Sequence, residues 1–395
     1  MSVRNGREFL SIPGPTTVPD EVLGAMHTPA IDIYSGALVE VTESCLDGLG
    51  RIFNTQGGVY VYAANGHGAW EAALVNVLSR GERILILESG RFAKSWGEIA
   101  AMLGVEVESI PNDGRRAVDA AALEARLRED KEGTIKAVLV VQVDTASGVV
   151  NDIAALRKAM SAAGHGALLM VDVIASLATM PFEMDDWGVD VAVAGSQKGL
   201  MTPPGLSFIA AGEKAMAAHA KSGLRTFYWD WTQRDGPLHY QKYCGTPPEH
   251  MMFGLRKALD MLFEEGLDHV FHRHRLIAEA VRCAVGVWAE GGALEFNIAA
   301  AAERADSVTT VLMHDTPGPG RLLKYCEENC GVVLGIGIGE FEGKAFRIGH
   351  MGHVNAPMIL GTLGATEMGL VALGVANAKG GVQAAIESFA RGVPA

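Results

Sequence analysis

From about residue 57 to residue 210, seven short apolar runs alternate with stretches of helical period. The runs are GVYVYAA (58–64), RILILES (83–89), VEVESI (105–110), KAVLVVQV (136–143), ALLMVDV (167–173), DVAVAG (190–195) and LSFIAAG (206–212). Segments such as GAWEAALVNVLS (68–79) and DIAALRKAMSAAG (152–164) separate them. Strands covered on both faces read as near-continuous apolar runs, and the intervening helices supply that cover. The alternation therefore predicts an α/β domain around a mostly parallel sheet. Ligands of such sheets sit beyond the carboxyl ends of the strands.

The remainder reads differently. A long helical region, 253–290, is broken near Gly266. After it come SVTTVLM (307–313), a helix near 319–330, GVVLGIG (331–337), KAFRIGHMG (344–352) and a last helical stretch. This α+β pattern predicts a smaller second domain. The expected organisation is an N-terminal segment 1–20, a large domain 21–265 and a small domain 266–395. A chain of 395 residues is long enough for both. The apolar stretch 356–378 contains Glu367 and many glycines, which favours a packed helix over a membrane span. The net charge of −13, with no basic tract, argues against nucleic-acid binding through phosphate neutralisation. Five scattered cysteines form no disulfide framework or CxxC pair, and no signal or transit pattern opens the sequence, so a cytoplasmic location is expected.

The strand ends carry the chemistry. The first run leads into Gly66-His67-Gly68 and then a helix, where amide N–H groups and the helix dipole favour an anion. A tight strand-to-helix turn would need no ligand. Phe92 follows the second run, as a ring for stacking or as core. DTASG (144–148) follows the 136–143 run. Asp172 ends an apolar run, and a carboxylate there is costly unless paired. It either caps a turn or meets a ligand cation. GSQKG (195–199) ends the next run with Lys198, a lysine that burial would push toward its neutral, nucleophilic form. Gly199 stands where a phosphate-loop motif needs Ser or Thr, and the Walker spacing is absent.

An anion turn, an aromatic ring, a carboxylate and a lysine at the ends of one sheet match the needs of pyridoxal 5′-phosphate. Its phosphate needs N–H and hydroxyl donors, its ring nitrogen an acid partner, and its aldehyde a lysine Schiff base. His350 and His353 have a spacing that metal ligands use, but no carboxylate or cysteine stands nearby, and no metal is expected. GIGIGE (335–340) lacks the spacing of a dinucleotide fingerprint.

The motifs PGPT (13–16), GHGAWEAALVN (66–76), TASGV (145–149), VDVIASL (171–177), GSQKGL (195–200), GTPPEH (245–250) and FRIGHMG (346–352) resemble those of class V aminotransferases, specifically the alanine/serine–glyoxylate group. The 26-residue separation of Asp172 and Lys198 agrees, and the resemblance spans nearly the whole chain. It implies fold type I: a large domain with a mostly parallel seven-stranded sheet and a smaller α+β C-terminal domain. It also implies roles. Lys198 carries the Schiff base and Asp172 binds the pyridine nitrogen. Phe92 and Ile174 flank the ring, and Thr145 lies near the ring hydroxyl. Gly66, His67, Ser196 and Gln197 hold the phosphate. Tyr243 and Thr246 reach the phosphate across a subunit interface, which implies a homodimer or higher oligomer. Arg347 grips the substrate carboxylate; without the resemblance the favoured reading is a strand-edge arginine in a surface ion pair.

The implied reaction is amino transfer from serine or alanine to a 2-oxo acid, glyoxylate foremost. The donor stays open. Serine–glyoxylate members often carry a His-Arg pair near Tyr34-Ser35, and no basic residue stands there. GHG is closer to the alanine–glyoxylate pattern, whereas KGLMTPPG (198–205) and YWDW (228–231) are closer to the serine–glyoxylate one. The alternatives are a lyase or a desulfurase of the same fold, with Cys244 as the nearest thiol, and a non-catalytic metabolite-binding protein.

Overall fold

All seven apolar runs form strands of one sheet in the computed structural model, which describes residues 3–314, 317–376 and 378–393. Residues 1, 2, 315, 316, 377, 394 and 395 lie outside it. In spatial order the strands are Gly58–Tyr62, Ser207–Ala211, Val191–Gly195, Leu168–Asp172, Ile135–Val141, Arg83–Leu87 and Glu106–Ile110. Ser207–Ala211 runs antiparallel to both neighbours, and every other pairing is parallel.

Strand periodicity divides the core cleanly. Val138, Val140, Leu169, Val171, Ala192 and Ala194 join one apolar cluster with Leu49 and Phe53 of helix Ala37–Phe53 and Leu255 and Leu259 of helix Glu249–Glu265. Their alternates Ala137, Leu139, Leu168, Met170, Val191 and Val193 pack with Trp70 and Leu74 of helix Gly66–Val77 and Trp96 of helix Arg91–Met102. A one-residue register slip would exchange the two sets, so burial on both faces fixes the pairing.

The second sheet has the order Phe9–Ser11, Val332–Ile336, Ala345–Gly349, Val308–Met313 and Leu294–Phe296. It shares a separate core with helices Leu267–Ala289, Ala356–Ala372 and Gly381–Gly392. The helical break falls at Gly266, as expected. Ala356–Ala372 is a packed helix, and its Glu367 accepts from Trp288 Nε1 and from the amides of Gly380 and Val382 at the start of the final helix. Among the described residues, no helix is long and apolar enough to cross a membrane.

One feature departs from the sequence reading. Phe9–Ser11, within the stretch read as an N-terminal segment, is an edge strand of the small sheet, parallel to Val332–Ile336. Ser11 Oγ meets Thr362 Oγ1 at 2.7 Å. Three residues are too few to show a period, and the partner strand is remote in sequence. Just beyond, the backbone of Ile12 lies against Gly349 so closely that a Cβ there would overlap it. Gly349→Ala is therefore expected to lose about 2 kcal/mol or more of stability, read as a lowered urea midpoint. An unchanged midpoint would show that the contact is not close.

Candidate functional site

The helix Gly66–Val77 begins directly after the first central strand. Asn65 caps it, accepting from Gly68 N at 3.3 Å. The first amides of a helix have no intrahelical acceptor, so Gly66 and His67 can offer N–H groups to an anion. A Cβ at Gly66 would overlap Ile174 Cδ1; glycine lets that side chain close over the turn. The His67 ring lies 4.6 Å from that of Trp70, and burial, then Arg91, holds its pKa below the usual value.

Asp144 organises the next edge. It is fully buried, and its Oδ2 accepts from Phe92 N at 2.9 Å and Ala93 N at 3.3 Å while Oδ1 accepts from Ala146 N at 2.9 Å. One carboxylate thus holds the start of helix Arg91–Met102 and the turn containing Thr145. Burial raises its pKa and these amides oppose the rise.

Asp172 ends the strand Leu168–Asp172. Its Oδ1 accepts from Ile174 N at 2.7 Å and its Oδ2 from Trp70 Nε1 at 2.8 Å. Burial pushes this carboxyl up to about 7, against the pull of those two donors. Lys198 sits in the turn after Val191–Gly195, buried, with Nζ donating to the Pro13 carbonyl. Burial lowers its ammonium to about 8; the Arg347 cation adds to that and Asp172 opposes it. Thr16 locks the turn, its amide bonding Gln197 O at 3.0 Å and its hydroxyl Lys198 O at 3.0 Å.

Gly66, His67, Phe92, Thr145, Asp172, Ile174, Gln197 and Lys198 line one cavity of about 310 Å³. Four other expected residues do not line it. Ser196 is buried and donates to Pro203 O at 2.7 Å, so its hydroxyl is committed within the turn. Tyr243 is buried too, its hydroxyl 2.7 Å from Thr42 Oγ1. Thr246 is exposed. Arg347 is buried beside the cavity, with Nε on Ile336 O at 2.6 Å and Nη1 on Thr145 O at 2.8 Å. Its Nη2 makes no hydrogen bond among the described residues. Burial pushes the guanidinium down to about 10 while Asp144 opposes the shift.

The sequence reading missed Trp70, Asp144 and the direct contact between Lys198 and Pro13. Asp144 carried a signal, since it is a second carboxylate at a strand end. Tyr34, at the position of the altered basic pair, is exposed with its ring edge-on to Tyr240, and Ser35 bonds Asp32. His350 is buried between Thr309 Oγ1 and the Asp306 carbonyl. Among the described residues, no group of three or more His, Cys, Asp or Glu could hold a metal.

The donor set fits pyridoxal phosphate. The cavity is of ligand size and joins an amine, a carboxylate, an aromatic ring and a helix start. The buried Gln197 Oε1 lacks any partner, which marks a side-chain amide free to reorganise around a ligand. Since only the neutral amine attacks an aldehyde, capture of added pyridoxal phosphate by the cofactor-free protein should speed up as pH rises. The midpoint is expected near 8 rather than near the ordinary lysine value of 10.5. Stopped-flow absorbance measures it, and a midpoint at the ordinary value would contradict the buried, desolvated amine.

The family description "Aminotransferase class-V" matches residues 13–337. The serine–glyoxylate aminotransferase of Methylorubrum extorquens is 39% identical over 399 residues, covering 99% of this chain and 98% of that protein. The L-aspartate–glyoxylate aminotransferase of Paracoccus denitrificans is 36% identical, covering 96% and 95%. Among solved structures, the pyridoxamine–pyruvate aminotransferase of Mesorhizobium loti superposes with a TM-score of 0.88 at 26% identity over 100% of both chains. The ureidoglycine–glyoxylate aminotransferase of Bacillus subtilis gives 0.88 at 24% identity, covering 99% of this chain and 100% of that one, a likeness that bears on fold alone. With a matching family description, full-length relatives and a lysine and an aspartate facing one cavity, the chain belongs to the class-V aminotransferases, fold type I enzymes that use pyridoxal 5′-phosphate.

Proposed function

We propose that this enzyme moves an amino group from a small uncharged amino acid, serine or alanine, to glyoxylate. The observation that carries the reading is the lining of the cavity: among the described residues, Lys198 is its only cationic side chain. Arg347 beside it has one free guanidinium nitrogen for an α-carboxylate. No further arginine or lysine lines the cavity to pair a distal acid, which argues against a dicarboxylic donor. The names of the relatives agree on glyoxylate more than on the donor.

When bound, pyridoxal phosphate supplies an electron sink that makes the Cα proton of an amino acid removable. The chain's residues supply the rest. Lys198, desolvated and near neutrality, holds and returns a proton at the substrate Cα. Asp172 holds a proton at the ring nitrogen. Phe92 and Ile174 flank the ring, and Thr145 stands near the ring hydroxyl. The helix amides of Gly66 and His67, with Gln197, hold the phosphate. Ser196 shapes the turn rather than donating to the phosphate, because its hydroxyl bonds Pro203 O and its amide bonds Leu206 O at 3.1 Å. Arg347 orients the substrate through its carboxylate, so that the Cα proton lies within reach of the amine.

A second copy of the chain completes the phosphate end, where, among the described residues, Gly66, His67 and Gln197 line the cavity with no lysine or arginine other than Lys198. Thr246 is exposed for that role, near a surface with Phe227 73% and Tyr240 37% exposed. Tyr243 would have to leave Thr42 first. A cytoplasmic enzyme acting as a homodimer fits this reading. A desulfurase would need a thiol in the cavity; Cys244 lies outside it, with Sγ on Phe227 O at 3.5 Å.

Lys198→Ala is expected to lower kcat by about 10³-fold or more, and Arg347→Lys to raise KM for both amino and oxo acids by about tenfold, since the fork geometry is lost. The proposal is tested by comparing kcat/KM for serine, alanine and aspartate with glyoxylate as acceptor. Serine or alanine should exceed aspartate; preference for aspartate would overturn the donor assignment.

A further inference from the structure

Trp70 lies one turn into the helix Gly66–Val77, on the face that also bears His67. The indole is buried at 1% exposure, lines the cavity and stacks on Trp96, with ring centroids 5.9 Å apart and planes 16° from parallel. Stacking alone would be met by any large apolar ring. Trp96 illustrates this, because its own Nε1 is buried without a partner. The Nε1 of Trp70 instead reaches Asp172 Oδ2 at 2.8 Å, while Ile174 N takes Oδ1 at 2.7 Å. Each carboxylate oxygen therefore receives one N–H from the chain, on opposite sides of the group. The carboxylate cannot rotate without breaking both bonds, and each oxygen keeps a lone pair for a further donor.

We propose that Trp70 is a positioning residue, whose indole N–H fixes Asp172 and keeps it in the charged form that holds a proton on the ring nitrogen of the cofactor. The inference rests on the reading of Asp172 as the partner of that nitrogen. The reason is electrostatic. A donor to a carboxylate stabilises the ionised form, and bonds to charged groups are stronger than neutral ones. Without the indole N–H, the proton shared between Asp172 and the ring nitrogen shifts toward Asp172. The ring then withdraws electrons less effectively and the proton transfer at Cα slows. Substrate binding, which Arg347 governs, is untouched. The same short helix thus serves both ends of the cofactor, through its first amides and through the indole one turn later.

The test removes the N–H and keeps the shape. Trp70→β-(3-benzothienyl)alanine replaces the indole nitrogen by sulfur and preserves the stack on Trp96. The holoenzyme is loaded with pyridoxal phosphate labelled with ¹⁵N in the ring, and the nitrogen resonance is recorded beside kcat and KM. The expected result is a resonance moved toward the unprotonated position, kcat lower by about tenfold and KM within about twofold. A resonance and kcat equal to those of the unmodified enzyme would overturn the inference. Asp172→Asn separates the two levels. If it moves the resonance and the Trp70 variant does not, the role of Trp70 fails alone. If it leaves the resonance unmoved, Asp172 is not the partner and both readings fail.

Discussion

Four ionisable side chains, Lys198, Asp172, Asp144 and Arg347, are buried together where the central sheet meets the small one. Burying any one of them alone would cost several kcal/mol. Together their formal charges cancel, and each influences another: Arg347 and Asp172 act on Lys198, and Asp144 acts on both Asp172 and Arg347. Backbone groups supply most of the direct bonds. Amides hold Asp144 and Asp172, and carbonyls hold Arg347 and Lys198. The compensation is incomplete for Lys198 and Asp172, whose protonation equilibria therefore fall near neutrality. An amine that can be neutral near neutral pH is what proton transfer at the substrate Cα requires, and a carboxylate that a ring cation can hold in its charged form is what the ring nitrogen requires.

The small sheet is part of this arrangement. Its edge strand Phe9–Ser11 continues into residues 12–16, which bring the Pro13 carbonyl to Lys198, line the cavity with Gly14 and Pro15, and tie down Gln197 and Lys198 through Thr16. A Cβ at Gly14 would overlap the Lys198 side chain. From its other strands, Arg347 grips Thr145 O and Thr310 Oγ1 bonds Ala146 O at 3.2 Å. The turn 144–148 is thus held between Asp144 below and the small sheet above. Relative movement of the two sheets would be felt at the lysine and at Thr145 together.

The central sheet was legible because burial on both faces writes strands as apolar runs, and all seven were found with their ends within a few residues. The ends of those runs made Asp172 and Lys198 conspicuous, since a charge closing an apolar strand needs a reason. What a residue bonds to was not legible. Trp70 reads as one more apolar position of a helix, and only the fold brings its N–H to Asp172. Asp144 escaped for a similar reason: its partners Phe92 and Ala93 lie on another helix. Ser196 stands at the position its motif implies, yet its hydroxyl turns back to Pro203, a local bond that competes with any ligand. Phe9–Ser11 is too short to announce itself as a strand.

The central claim is that Lys198 and Asp172 perform amino transfer in two separable halves. The most direct measurement mixes the pyridoxal-phosphate-loaded enzyme with serine in the absence of any oxo acid and quantifies the products. The account predicts one equivalent of the corresponding keto acid per active site, then no further turnover until glyoxylate is added. Continuous formation of keto acid with release of ammonia, without an acceptor, would contradict it and make the enzyme a lyase.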